Sequence, residues 1–199
     1  MALAGVALLS ALLLELGLQS PEFRAIWTRE HVQTERFPSP TPVAPPSPSV
    51  TTCFTPAQAC GKLIVGVLDH AQSQIRLQAY GFTSLPILTA LVSAKGRGVD
   101  VVAILDKSDD RASSGGGAEF VVRAGIPVFI DYRPAIAHNK VIVVDKHIVV
   151  TGSYNFTAAA EHRDTENVTV IDSAEVASRF LSNWESRRAI SRTFVYEDY

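Results

Sequence analysis

What this chain lacks narrows its chemistry before any motif is read. It has only two cysteines, Cys53 and Cys60, and no grouping of His, Cys and Asp at the spacing of a zinc site. A disulfide-rich scaffold and a zinc-built fold are excluded. Positive charge is not in surplus either, since 18 Lys and Arg stand against 20 Asp and Glu for a formal net charge of −2. Broad electrostatic binding of nucleic acid therefore cannot be inferred from charge. A convincing membrane span is also missing. Met1 to Leu18 is almost all Ala, Leu, Val and Gly, but Glu15 interrupts it and no Lys or Arg precedes it. Near the lower length limit for a spanning helix, the segment reads as an imperfect export signal or uncleaved anchor, or else as a mis-set start. A signal implies a periplasmic or secreted protein, with no membrane partner beyond that anchor.

What is present suffices for one core. Of 199 residues 47% are apolar, which supports a single catalytic-sized domain and little more. Residues 19–49 are polar and then proline-rich, with Pro38, Pro40, Pro42, Pro45, Pro46 and Pro48 favouring extended, uncollapsed chain. The expected division is a signal or anchor over 1–18, a disordered linker over 19–49 and a domain over 50–199. Cys53 and Cys60 lie at that domain's edge. An oxidising compartment permits a disulfide between them, whereas in a reducing one they are two small, partly buried side chains.

Within the domain, helical and strand patterns alternate. Helix is expected over Pro56–Gln72, strand over Ile75–Phe82, and a helix capped by Ser84 up to about Lys95, broken by Gly96-Arg97-Gly98. Strands follow at Val99–Leu105 and Pro127–Ile130, separated by a polar glycine-rich loop and a short helix over Ala118–Ala124. Lys140–Asp145 and His147–Thr151 form a hairpin turning at Asp145-Lys146. A short helix over Thr157–Glu161, a strand over Asn167–Ile171 and a Ser173-capped helix to Ile190 complete the chain. This order predicts an α/β sandwich whose mixed sheet is flanked by helices.

The hairpin carries the chemistry. It reads His138-x-Lys140-x4-Asp145, followed by Gly152-Ser153-x-Asn155. Side chains two apart on a strand point the same way, so an imidazole sits beside a fixed positive charge. The first can take a proton or a phosphoryl group near neutral pH, and the second stabilises charge on phosphate oxygens. His31, His70, His147 and His162 lack a lysine two residues on and are read as ordinary polar residues.

These residues resemble the His-Lys-Asp signature of the phospholipase D superfamily, most closely its small single-motif bacterial endonucleases of the Nuc type, from about Cys53 to the last helix. The resemblance implies that His138 is the nucleophile, that Lys140 and Asn155 bind phosphate with Ser153 beside them, and that Glu166 orients the histidine ring. It implies structural roles for Asp145, as an ion-pair residue, and for Gly152. Glu161 is read as a helix-surface residue. The superfamily's chemistry uses two histidines and this chain has one signature, so the resemblance also implies a homodimer with a shared site. No metal or other cofactor is required, because Lys140 and Asn155 supply the electrostatics.

The signature leaves the substrate open among nucleic acids and phospholipids. The compact domain, with no long apolar loop for acyl chains, favours a low-specificity endonuclease acting on DNA, with RNA unresolved. Arg97, Lys107, Arg111, Arg123 and Arg133 could line one face for it, although each singly reads as a solvated charge. The alternatives are a phospholipase D acting on phosphatidyl headgroups and an inactive nucleic-acid-binding module.

Overall fold

The computed structural model describes residues 47–109 and 116–195. The expected signal or anchor over 1–18, the linker before residue 47 and Arg111 lie outside them. The expected domain is an eight-stranded mixed sheet with helices on both faces. Its strands are β1 (Ser49–Phe54), β2 (Gln74–Ala79), β3 (Asp100–Asp106), β4 (Val128–Asp131), β5 (Val141–Val144), β6 (Ile148–Gly152), β7 (Asn167–Asp172) and β8 (Arg192–Thr193), in the order β1-β7-β6-β5-β2-β3-β4-β8. β2, β3 and β4 run parallel, and every other pairing is antiparallel. The helices are α1 (Cys60–Asp69), α2 (Leu85–Gly96), α3 (Gly117–Arg123), α4 (Ala158–His162) and α5 (Ala174–Ile190).

The two-residue strand period sorts the core into layers. On one face Ile75, Leu77, Val101, Ala103, Leu105, Ile142 and Val144 pack with Ile64 and Leu68 of α1 and Ile87 and Leu91 of α2. The alternate residues Val141, Val143 and Val149 meet Ala177, Phe180 and Leu181 of α5 on the other face, where Ile104 and Phe129 surround Trp184. Each fully buried Ile or Leu contributes about 1.5–3 kcal/mol. The Trp184 indole N–H is satisfied by the Leu77 carbonyl at 2.9 Å, which fixes α5 on the sheet.

Local chemistry sets the boundaries. Ser173 and Thr157 cap α5 and α4 through their hydroxyls, accepting from Val176 and Ala160 N–H. Ser84 occupies the N-cap of α2 but makes no side-chain capping bond, so Pro86 in the first turn does more of the initiation. α1 begins at Cys60 instead of Pro56. Gln58 is drawn into a turn by its N–H to the Phe54 carbonyl, while its Oε1 accepts from Phe54 N–H. The β5–β6 turn has both Asp145 (φ 51°) and Lys146 (φ 65°) in the left-handed region, closed by His147 N–H to the Val144 carbonyl.

Two edge strands, β1 and β8, were not expected. β1 takes in Ser49, the last residue of the expected linker, and pairs with β7. The Cys53 and Cys60 sulfurs are bonded, tying β1 to the first residue of α1. Another difference bears on the site. β5 starts at Val141, so His138 and Lys140 lie in the irregular segment leading into the strand rather than on it.

Candidate active site

Strand register assembles the site. Val141 at the start of β5 faces Gln78 near the end of β2 and Thr151 near the end of β6, while Gly152 faces Val168 near the start of β7. The residues just beyond these strand ends must meet at one end of the sheet. They are Tyr80, His138 and Lys140, Ser153 and Asn155, and Glu166.

Lys140 is 6% exposed, whereas His138 beside it is exposed. The Lys140 ammonium donates one bond to the His138 carbonyl at 2.9 Å. Two of its three N–H donors remain for a ligand. Burial holds the lysine pKa below its ordinary value, and the Glu166 carboxylate offsets part of that. Tyr80 serves both groups. Its ring centroid lies 4.9 Å from that of His138, tilted by 58°, and 5.4 Å from Lys140 Nζ, close enough for a cation–π contact. Neither contact was expected from the sequence, because Tyr80 reads there as an ordinary strand residue.

Backbone clamps hold the surrounding loops. Asp106, 2% exposed at the end of β3, accepts from Ala137 N–H at 2.7 Å and Ser108 N–H at 2.9 Å. It thereby fixes the residue that precedes His138. Burial pushes the Asp106 pKa up, but these hydrogen bonds and Lys107 outweigh it, and the net shift is downward. Gly152 is required for a steric reason, since a Cβ there would stand 2.1 Å from the Asn167 carbonyl oxygen. That carbonyl accepts from Ser153 and Tyr154 N–H. Ser153 Oγ accepts from the Asn167 backbone N–H and Nδ2, which leaves its own hydrogen free to donate. Asn155 packs against Gly81, and its Oδ1 is buried without a hydrogen-bond partner. Thr55 clasps the Glu166 loop: its N–H donates to the Glu166 carbonyl, and its Oγ1 accepts from Glu166 N–H and donates to the Asp164 carbonyl.

Several expected roles change. Among the described residues no hydrogen bond joins Glu166 to the His138 ring of the same chain; the ring's partner is Tyr80. Among the same residues Asp145 forms no ion pair. Its carboxylate accepts backbone N–H groups from Gln72, Ser73 and Gln74 and the Ser73 hydroxyl, pinning the hairpin turn to the start of β2. Glu161 is not a plain helix-surface residue, because its Oε2 accepts from Gly61 N–H at 2.8 Å and Tyr154 OH at 2.9 Å. The expected basic face is partly consumed internally. Arg97 donates to the Leu68 and Ala71 carbonyls, Lys107 to the Pro134 carbonyl, and Arg123 pairs with Glu119. His147 pairs with Asp172 and His70 with the Gly66 carbonyl, both away from the site. Among the described residues no group of three His, Cys, Asp or Glu side chains is placed to hold a metal.

An exposed imidazole beside a buried, Glu166-supported ammonium, with Ser153 and Asn155 at the same sheet end, can attack a phosphodiester and neutralise its oxygens. Comparison with known proteins points the same way. Residues 64–188 match the family model described as "Cardiolipin synthase, PLD-like domain". The phospholipase D of Rickettsia conorii is 48% identical over 140 residues, 70% of this chain and 70% of that protein. The mitochondrial cardiolipin hydrolase of Mus musculus is 32% identical over 145 residues, 72% of this chain and 65% of the hydrolase. The crystal structure of Nuc from Salmonella typhimurium, a phospholipase D family member, superposes with a TM-score of 0.70 at 37% identity, covering 75% of this chain and 99% of that one.

Proposed function

The chain belongs to the phospholipase D superfamily and is one of its phosphodiesterases, and from that premise we propose that it is a low-specificity endonuclease cutting DNA without a metal ion, at a site shared by two copies. The observation that carries this reading is the exposed His138 ring set beside the buried Lys140 ammonium on an open sheet end. A small cavity that includes Asn139, between His138 and Lys140 in the chain, is lined by the carboxamides of Gln78, Asn139 and Asn183 together with Val141, Arg179 and Phe180. At about 210 Å³ it is too small to lodge acyl chains.

The reaction runs in two steps. An imidazole nitrogen of His138 attacks phosphorus, the bond from phosphorus to the leaving oxygen breaks, and His138 of the partner subunit protonates that oxygen. Water then attacks the phosphohistidine, the P–N bond breaks, and the partner histidine takes the water's proton. Lys140, Asn155 and Ser153 donate to the non-bridging oxygens throughout. Glu166, unbonded to His138 within its own chain, orients the histidine pair across the shared site. The Cys53–Cys60 bond supports an oxidising, periplasmic or secreted location.

A second reading, phospholipase D activity on phosphatidyl headgroups, is favoured by the names of the Rickettsia and mouse relatives and by Ile136, 53% exposed two residues before His138. One assay separates the two. The purified protein, with excess chelator, is given supercoiled plasmid and, separately, vesicles of phosphatidylcholine or cardiolipin. Nicking and linearisation of the plasmid are expected. Headgroup release with intact plasmid would establish the second reading, and activity restored only by Mg²⁺ would overturn the electrostatic role given to Lys140 and Asn155.

A further inference from the structure

Between the sheet and α5 lies a cavity of about 210 Å³ lined by Gln78, Asn139, Val141, Arg179, Phe180 and Asn183. Register explains its place: Gln78 faces Val141 across β2 and β5, and Asn139 sits between His138 and Lys140. α5 supplies the opposite wall, with Arg179 and Asn183 one turn apart on the same helix face. Asn139 thus brings the cavity wall to within one residue of both His138 and Lys140 along the chain.

Its chemistry is specific. Gln78 is 3% exposed, and its Nε2 is buried with no hydrogen-bond partner. Buried amide donors are almost always paired, so an orphan in a cavity wall needs an explanation. Asn139 and Asn183 add two exposed amides. Arg179, the one charged residue in the lining, pairs with Glu175 at 2.7 Å on the exposed helix surface, and the rest of the lining is carboxamide and apolar. Val141 and Phe180 supply apolar walls. Carboxamides around an apolar wall match the edge and face of a nucleobase, which Asn and Gln recognise by hydrogen bonds and an aromatic ring by contact.

We propose that this cavity is a nucleobase subsite: it takes the base bordering the cut, with Gln78 donating from Nε2 and Asn183 bonding from α5. The proposal rests on the endonuclease reading. It gives the enzyme a preference for one base at one position, while the rest of the sequence goes unread.

The test is to digest random-sequence single-stranded DNA with the full chain and to sequence the new ends, with Gln78→Leu and Asn183→Ala run alongside. Wild type should favour one base at one position next to the cut by about five-fold or more, and both variants should bring that to within about two-fold. The bias is a ratio within each digest, so slow cutting by a poorly folded variant does not obscure it. Asn183→Ala, on an exposed helix position, decides the matter if Gln78→Leu yields no ends. No bias in wild type, or an unchanged bias in Asn183→Ala, overturns the subsite while leaving the nuclease standing. A variant that keeps the bias but dissociates the dimer in light scattering marks the cavity as an interface between copies and also overturns it. Hydrolysis of bis(p-nitrophenyl) phosphate with no ends from any DNA removes the endonuclease reading, and the subsite with it.

Discussion

Replacing Asp145 by Asn should damage the fold and spare the chemistry. In the native protein Oδ1 accepts Ser73 N–H at 2.7 Å, the Ser73 hydroxyl at 2.8 Å and Gln74 N–H at 2.9 Å, while Oδ2 accepts Gln72 N–H at 2.8 Å. An asparagine keeps one acceptor oxygen and turns an NH₂ toward a backbone donor. At least one bond is lost, and the others lose charge assistance. Bonds to charged groups are worth about 1.5–3 kcal/mol each, less where solvent reaches them as it does here, so a total cost of about 2–3 kcal/mol is expected. For a domain of this size that lowers Tm by about 4–10 °C. The pH dependence has a definite sign. Burial pushes the Asp145 pKa up, the backbone and Ser73 hydrogen bonds pull it further down, and the net lies below the ordinary 3.8. A carboxylate with a depressed folded pKa adds stability that is full above its unfolded pKa and lost as pH falls through its folded one. The Tm gap between wild type and variant should be widest near neutral pH and should close below about pH 4. Thermal unfolding across pH, with activity measured well below Tm, checks this. An Asp145→Asn variant of wild-type Tm and no activity would put Asp145 in the reaction, and a gap indifferent to pH would deny the carboxylate its role.

Tyr80→Phe should keep most activity because the ring is what meets His138 and Lys140, whereas Tyr80→Leu should lower kcat by about ten-fold or more through misplacement of both; equal losses in steady-state kinetics would shift the role to the hydroxyl. Glu166→Gln removes the charge that supports the Lys140 ammonium, so the lysine should deprotonate at lower pH and the alkaline limb of the pH–rate profile should move down. An unmoved limb would break that link. Glu161→Gln, which weakens the ties to Gly61 and Tyr154, should lower Tm in thermal unfolding and leave the alkaline limb in place; the reverse result would exchange the roles of the two acids.

Sequence reading succeeds here where the decisive interactions are local. The β5–β6 turn shows because Asp145-Lys146 follows four β-branched residues, and α5 because Ser173 and Ile190 bound it. It falls short where the partner is remote. β1 is completed by β7 and β8 by β4, pairings that no local pattern encodes. The composition of the signature is visible in sequence, but its placement ahead of β5 is not, since valine-rich pattern alone does not say where pairing starts. Tyr80, Asp106 and Thr55 were silent because each acts on a segment distant in sequence: the His138 ring, the Ala137 N–H and the Glu166 loop. Asp145 was misassigned in kind, for a carboxylate's partners can be backbone N–H groups that carry no sequence signature.

The central claim is that one chain holds half of an active site, with a single His138 where the chemistry needs two. Wild-type and His138→Ala chains, unfolded together, refolded in equal amounts and verified to have exchanged partners, test it directly. Random pairing at a shared site leaves only wild-type dimers active, about one quarter of full activity. Activity that stays near one half and follows the wild-type fraction linearly would contradict the shared site and require a second acid within the same chain.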